Sequence, residues 1–355
     1  MRRSVPAAVL VLVAIAACSP ETSSTTTSQP ATTTTSITAT STTIPATTST
    51  TLAADATVTV LLARFSELGP RWSELVFPYG EGEEFLRTSP GGEGLLWGPE
   101  YGTQTPDGTW WFLDAANLRV AHFSGDGTYL DQVVLPEDLL VDGQYFQYQM
   151  PQALYDGSVV AAGFRDESTM ALLRIVAGEA SGATFEGEVP WVTTDGVSLF
   201  GLGFDGAAYR LDPNEPVTEP VDWLLGRDGS RYLASVDGDE VRIELPDAGV
   251  TRTLQMRFSE DPEVSVMGGI EVEATPDGWL HVLFYGAPAS DETLGVGGLL
   301  TIGADGTLGE VEPIIEPSST SDPGSPARLG VGPEHSDPWL MVVGVDGVHV
   351  FTRQA

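Results

Sequence analysis

The dipeptide Asp-Gly occurs eleven times in this chain, at Asp107, Asp126, Asp142, Asp156, Asp195, Asp205, Asp228, Asp237, Asp277, Asp305 and Asp346. The pair favours the left-handed backbone of tight hairpin turns, because Gly carries no Cβ and Asp tolerates that region. Between these turns lie short apolar runs, and few segments hold a helical apolar period beyond two turns. Short strands joined by tight turns define an all-β chain. The best helix candidate, residues 60–68, competes with a strand over 57–62.

The spacing of the turns predicts a repeat. The turns before the most apolar strand of each stretch fall at Asp107, Asp156, Asp195, Asp228, Asp277 and Asp337. Their mean separation is about 46 residues, and a four-stranded propeller blade needs about 40–50. Several of the following strands are apolar on both faces, as in Trp110, Trp111, Phe112 and Leu113. A strand inside a blade has a neighbouring blade on each face, whereas a surface strand alternates. Thr105-Pro106-Asp107-Gly108-Thr109-Trp110 also recurs as Thr275-Pro276-Asp277-Gly278-Trp279. The expected fold is an all-β propeller of six four-stranded blades.

The last repeat supplies three strand candidates, 328–332, 338–344 and 348–353, before Ala355. Propellers close by mixing strands from both termini, which removes the open edge. A strand from 72–79 or from 57–62 is therefore expected beside 348–353.

One stretch carries more pattern than the rest. It runs from the Pro106-Asp107-Gly108 turn through Asp114-Ala115-Ala116-Asn117-Leu118-Arg119-Val120 to Phe123 and Gly125-Asp126-Gly127. This resembles an NHL repeat. The resemblance implies that Asn117 holds the corner between the second and third strands. It also implies that Arg119 pairs with Asp114 or a neighbouring carbonyl. It covers roughly one blade and implies structural corner residues rather than an activity.

The N-terminus carries Arg2 and Arg3, then an apolar run over 5–17, then Cys18. That run is short for a membrane span and has the layout of an export signal. Ile15-Ala16-Ala17-Cys18 resembles the lipobox of a bacterial lipoprotein signal. The resemblance implies cleavage before Cys18 and a diacylglycerol on its sulfur; a plain secretory signal with a chance cysteine is the alternative. Cys18 is the single cysteine, so no disulfide is available. Residues 18–55 read as the lipidated cysteine and a Ser/Thr-rich linker with little to bury, hence disordered. Residues 56–355 read as the propeller domain. The expected address is the extracytoplasmic face of the cell membrane, held by the lipid anchor.

All sixteen basic residues are arginine. Without Arg2 and Arg3, 14 arginines face 50 acidic residues, a net charge of −36. Such a surface repels nucleic acid and anionic headgroups, so neither is an expected partner. The charges are scattered, which fits solubility better than a dedicated cation site.

Candidates for chemistry are few. The four histidines, His122, His281, His335 and His349, show no His-x-His or His-x-x-x-His spacing. There is no Gly-x-Ser-x-Gly elbow, phosphate-binding glycine loop or EF-hand loop. Glu271 and Glu273 alternate on a predicted inner strand and point to one face. Inner strands line a propeller's central channel, and joined there by other acids the pair would hold Ca²⁺ or Zn²⁺. Likeness to the metal-dependent lactonases and lyases built on six-bladed propellers, which work in that general way, would then imply a hydrolase, lactonase or lyase. The other inner strands offer Gln104, Gln152 and Arg328 instead of acids, so the pair reads first as solvated rim residues. The expected function is a binding or scaffolding module for a protein, peptide or glycan, acting as a monomer without a cofactor. The metal-dependent enzyme is the alternative.

Overall fold

A computed structural model describes residues 53–66, 68–90, 96–97, 99, 101–135, 147–164, 169–186, 191–202, 207–211, 218–314, 327–332, 337–344 and 346–354. Cys18, the Ser/Thr-rich stretch before residue 53 and His335 lie outside the described residues.

The chain is built of strands that turn back on their predecessors. Gly102–Gln104, Trp110–Asp114, Arg119–Phe123 and Tyr129–Val134 form meander 1. Gln147–Ala153, Val159–Phe164, Thr169–Val176 and Glu179–Glu186 form meander 2; Trp191–Thr194, Leu199–Leu202, Ala208–Leu211 and Thr218–Val221 form meander 3. Meander 4 is Leu224–Leu225, Arg231–Asp237, Glu240–Leu245 and Val250–Phe258. Meander 5 is Asp261–Ala274, Leu280–Pro288, Val296–Ile302 and Leu308–Glu312. Meander 6 takes Arg328–Val331, Pro338–Val343 and Gly347–Arg353 from the C-terminal stretch and Trp72–Pro78 from the N-terminal one. The protein is an all-β propeller.

The turn chemistry follows from the sequence. At the first corner of meander 1, Asp107 Oδ1 accepts from the Thr105 hydroxyl at 2.8 Å and the Thr109 N–H at 3.2 Å. Gly108 then takes φ 83°, where a side chain would be strained. The same carboxylate-to-N–H bond recurs at Asp156 with Ser158 and at Asp228 with Ser230. Asp107 and Asp277, which share the Thr-Pro-Asp-Gly motif, both join first to second strands, in meanders 1 and 5.

The core is a series of seams between meanders. Trp111, Leu113 and Val120 pack on Val159, Ala161 and Leu173 between meanders 1 and 2. Leu154 and Leu172 meet Val192 and Leu199 between meanders 2 and 3. One larger cluster joins meanders 3, 4 and 5 through Phe200, Tyr232, Ile243 and Phe284. Leu283 and Leu299 meet Leu329 and Leu340 between meanders 5 and 6. Second strands therefore have both faces covered: every residue of Trp110–Asp114 and of Pro338–Val343 is buried.

The last seam closes the set. Trp72–Pro78 runs antiparallel to Gly347–Arg353, with Trp72 opposite Arg353 and Pro78 opposite Gly347. Its Phe77 is fully buried and lies 4.4 Å from Phe112 and 5.1 Å from Phe123, ring centre to ring centre. The stretch over 57–62 has a different role. It belongs to the strand Asp55–Arg64, which runs parallel to Val250–Phe258 before Ala63 and Arg64 cross to Gly297 and Val296. Val60 and Leu62 are buried while Thr59 and Leu61 are not, a period of two that excludes the helix.

Phe77→Ala should cost about 3–5 kcal/mol in denaturant unfolding, because it empties the closing seam. Val76→Ala, on the opposite face of the same strand, should cost well under about 1 kcal/mol. Equal costs would show that the seam does not carry the closure.

Candidate functional site

The first strands of the meanders lie beside one another around the interior: Asp261–Ala274 next to Arg328–Val331, and Gly102–Gln104 and Trp191–Thr194 on either side of Gln147–Ala153. Side chains on their inward face meet there. Glu271 and Glu273 are two apart on one strand and share that face.

Glu271 is fully engaged. Arg328 Nη1 donates to its Oε1 at 2.8 Å, and the Leu329 N–H donates to its Oε2 at 2.7 Å. Arg328 Nη2 donates to the Tyr101 hydroxyl at 3.0 Å, and its guanidinium lies 4.8 Å from the centre of the Tyr101 ring. One ion pair thus ties meanders 5 and 6 to the approach to meander 1. Burial works against the charge on Arg328, but Glu271, Tyr101 and Tyr285 together outweigh it and the guanidinium holds its proton more firmly than usual.

Glu273 has weaker company. Gln152 Nε2 donates to its Oε1 at 3.4 Å and to the Val192 carbonyl at 3.3 Å. Burial pushes the Glu273 carboxyl up to about 7, against the pull of Arg227 and the Gln152 bond. Arg227 is buried too and donates to the Ala153 carbonyl at 3.3 and 3.4 Å. Its own pKa is pushed down by that burial, with Glu273 opposing.

The expectation of solvated rim acids is therefore corrected. Glu271 is 3% exposed and Glu273 5% exposed. The inner strands pack so closely that the cavity beside them, lined by Tyr101, Gln152, Glu273, Arg328 and Trp339, holds about 20 Å³, room for a single water. Gln152 and Arg328, which sequence reasoning counted as missing acids, are the partners of the two glutamates. Gln104 instead donates to the Gly108 carbonyl at its own corner. Arg227 was missed because it sits in a Gly-Arg-Asp-Gly turn, a composition that normally marks solvent.

This donor set does not suit a divalent cation. Both oxygens of Glu271 have donors, and two guanidinium groups flank the pair. Among the described residues no group of three or more His, Cys, Asp or Glu is placed to hold a metal. The described histidines have other contacts. His281 Nδ1 lies 3.1 Å from the Thr301 hydroxyl, and His122 stacks on Trp111 with ring centres 3.9 Å apart. His349 lies with Nδ1 2.6 Å from Glu74 and Nε2 2.8 Å from Asp346.

Asp114, Asn117 and Arg119 meet at the corner of meander 1. Arg119 Nε and Asn117 Nδ2 both donate to Asp114 Oδ2, at 2.8 and 2.7 Å. Arg119 Nη1 also donates to the Glu83 carbonyl at 2.8 Å, anchoring the segment that follows the closing strand.

The chain belongs to the family described as a domain of unknown function, DUF7485, whose model matches residues 70–353. The match takes in the closing strand and begins after Asp55–Arg64. None of the curated proteins matches the sequence. Among solved structures, the chain is similar to a catalytically inactive virginiamycin B lyase from Staphylococcus aureus, at 12% identity over 79% of this chain and 98% of that one, with a TM-score of 0.42. It is similar to a putative 6-phosphogluconolactonase from Bacteroides uniformis, at 14% identity over 76% and 88%, TM-score 0.41. It is also similar to regucalcin, a calcium-binding protein, from Agrobacterium tumefaciens, at 11% identity over 83% and 97%, TM-score 0.40. Likeness at this level says nothing of activity.

Glu271→Gln should destabilise the fold by about 2–4 kcal/mol, because it leaves Arg328 partly buried without its counter-charge. Combining it with Arg328→Met should recover much of that loss; an additive double variant would show that the two do not act as a pair. Glu273 gives a separate, pH-dependent signature. Its carboxyl rises from an ordinary 4.5 to about 7 on folding, so its burial costs stability that grows between those values and is constant above them. Glu273→Gln should therefore gain on wild type by on the order of 2–3 kcal/mol between about pH 5 and about pH 8. A difference that does not change with pH would mean that Glu273 ionises in the fold as it does in the open chain.

Proposed function

We propose that this chain is a lipid-anchored binding module displayed on the extracytoplasmic face of the cell membrane. In this reading residues 1–17 are removed as a signal and Cys18 carries the lipid. Residues 18–55 form the spacer. The remainder is a monomeric, NHL-like propeller whose six meanders are six blades, serving to capture a protein, peptide or glycan. One observation carries it: the interior carboxylates already have arginine, glutamine and N–H partners and leave about 20 Å³ of space. A ligand of any size must then be met on the outer surface or at a mouth of the channel.

A second reading has one observation in its favour. Glu273, at about 7, would carry or release a proton near neutrality, as a general acid or base must. In that reading a Ca²⁺ or Zn²⁺ ion beside Glu271 and Glu273 would make the chain a hydrolase, lactonase or lyase. It requires the Glu271–Arg328 pair to open.

One preparation separates the two. The full chain, extracted from membranes with detergent, should contain no stoichiometric metal, and chelator should leave its melting unchanged. Stoichiometric Ca²⁺ or Zn²⁺ that is lost in Glu271→Ala would establish the enzyme reading instead. Recovery of the chain from the soluble fraction would sink the anchor.

A further inference from the structure

Both ring nitrogens of His349 face carboxylates. Nδ1 lies 2.6 Å from Glu74 Oε1, and Nε2 lies 2.8 Å from Asp346 Oδ1. Ionised carboxylates only accept, and a neutral imidazole has one N–H to give. In either tautomer the neutral ring would set a lone pair against a carboxylate oxygen at hydrogen-bond distance. A hydroxyl partner can turn to suit either tautomer, as the Thr301 hydroxyl can at His281. A carboxylate cannot. The geometry calls for the doubly protonated imidazolium.

The three residues come from the two ends of the chain. His349 lies on Gly347–Arg353 and Asp346 in the turn that leads into it, while Glu74 is on the closing strand Trp72–Pro78. His349 is opposite Val76 in the register, so Glu74, two residues back, shares its face and reaches it diagonally. The Tyr79 N–H, just past the closing strand, donates to the Asp346 carbonyl at 3.0 Å. Toward Pro338–Val343 the histidine is opposite Val342, which carries no charge. Along its own strand its ring stacks on Phe351 at 6.4 Å, and Arg353 beyond is paired with Glu312 at 3.3 Å. Gly344 leaves room for the ring, since a Cβ there would stand 2.5 Å from Nε2. The His349 side chain is 19% exposed, so water and salt screen these contacts only in part. A neutral tie lies beside them, between the Ser73 and Thr352 hydroxyls at 2.9 Å.

The sign of the effect follows. Burial opposes the charge on the ring, but the hydrogen bonds and charges of Glu74 and Asp346 outweigh it and raise the pKa above the ordinary 6.5. The Asp346 carboxyl is lowered in turn, chiefly by its bond from His349. With the folded pKa above the unfolded one, the contribution of the ring to stability is complete below the unfolded value. It is lost as pH climbs through the folded value.

We propose that His349 is a proton-operated fastener of the ring. Doubly protonated, it ties the N-terminal closing strand to the C-terminal hairpin through Glu74 and Asp346. Losing a proton, it sets the ring against one of the two acids and loosens that strand. The device lies apart from the channel and does not depend on what the propeller binds.

Two measurements on the full chain test this. In the first, NMR follows the titration of the His349 ring, assigned by its absence in His349→Gln. The ring should titrate above its value in the denatured chain, and Glu74→Gln and Asp346→Asn should each lower it. In the second, amide exchange over Trp72–Pro78 is compared between wild type and His349→Gln at the same pH. Near about pH 5.5 wild type should be protected about three- to fivefold more, the size expected of partly exposed ion pairs. One pH unit or more above the folded pKa, the ratio should fall to about one or below. Glu273 titrates in both chains and cancels. A His349 ring that titrates at or below its denatured value would overturn the proposal, as would a protection ratio that does not change with pH. If His349→Gln does not fold, the ring titration in wild type, Glu74→Gln and Asp346→Asn decides the matter, and an equal pKa in all three sinks the fastener.

Discussion

A strand that is apolar on both faces needs a partner sheet on each side, and this chain contains such a strand in successive meanders. Trp110–Asp114 and Pro338–Val343 are buried throughout, so no meander is complete until its neighbours are in place. In an open array the first and last meanders would each expose a face of aromatic and aliphatic side chains. Phe77 settles this by coming from the far end of the chain. It is fixed beside Gly347–Arg353 by a seven-residue register and pushed among Trp110, Phe112 and Phe123. The contact is long-range in sequence and carries a loop-closure cost that local turns do not. The family match that begins just before this strand fits its role as part of the structural unit.

Closing the seams has an electrostatic consequence. When the first strands are drawn together, the inward side chains lose bulk water and must satisfy one another. Glu271 succeeds, because Arg328 Nη1 donates to one of its oxygens and the Leu329 N–H to the other. Glu273 succeeds only in part. Gln152 is a neutral donor at 3.4 Å, and burial dominates its titration. Two carboxylates on one strand face thus meet different neighbours: Glu271 is held by Arg328, whereas burial pushes Glu273 up to about 7.

The fold was legible because its signals are local. Asp-Gly turns, strands apolar on both faces and the recurrence of Thr-Pro-Asp-Gly at Asp107 and Asp277 all act within a few residues, and periodicity exposed the missing fourth strand. The site was not legible for the opposite reason. The alternation of Glu271 and Glu273 could be read from one strand, but their burial depends on residues from three other meanders. Arg328 was visible as an inner-strand residue and appeared unhelpful because it is not an acid. Arg227 was hidden in a turn motif, and Tyr101 and Gln152 carry no motif at all. Pattern reading finds what repeats, and the channel is lined by what differs from one repeat to the next.

The arginines connect this interior to the surface. Arg119 and Arg328 form buried or half-buried ties, and Arg252 donates to the carbonyls of Gly306, Ala53 and Ala54. Others, such as Arg64, Arg231 and Arg257, are paired with surface acids. A planar fork suits such bridging work better than a lysine ammonium. With so many cations engaged internally, the excess of acidic groups sets the field outside. At physiological salt that field is screened within about 8 Å, so net charge attracts basic partners without choosing among them. Short-range geometry at the surface is set by the Asp-Gly corners: Asp107 is exposed, its Oδ1 is held by Thr105 and Thr109, and Gly108 takes φ 83°. The pair that specifies the turn thus also fixes where a surface carboxylate stands.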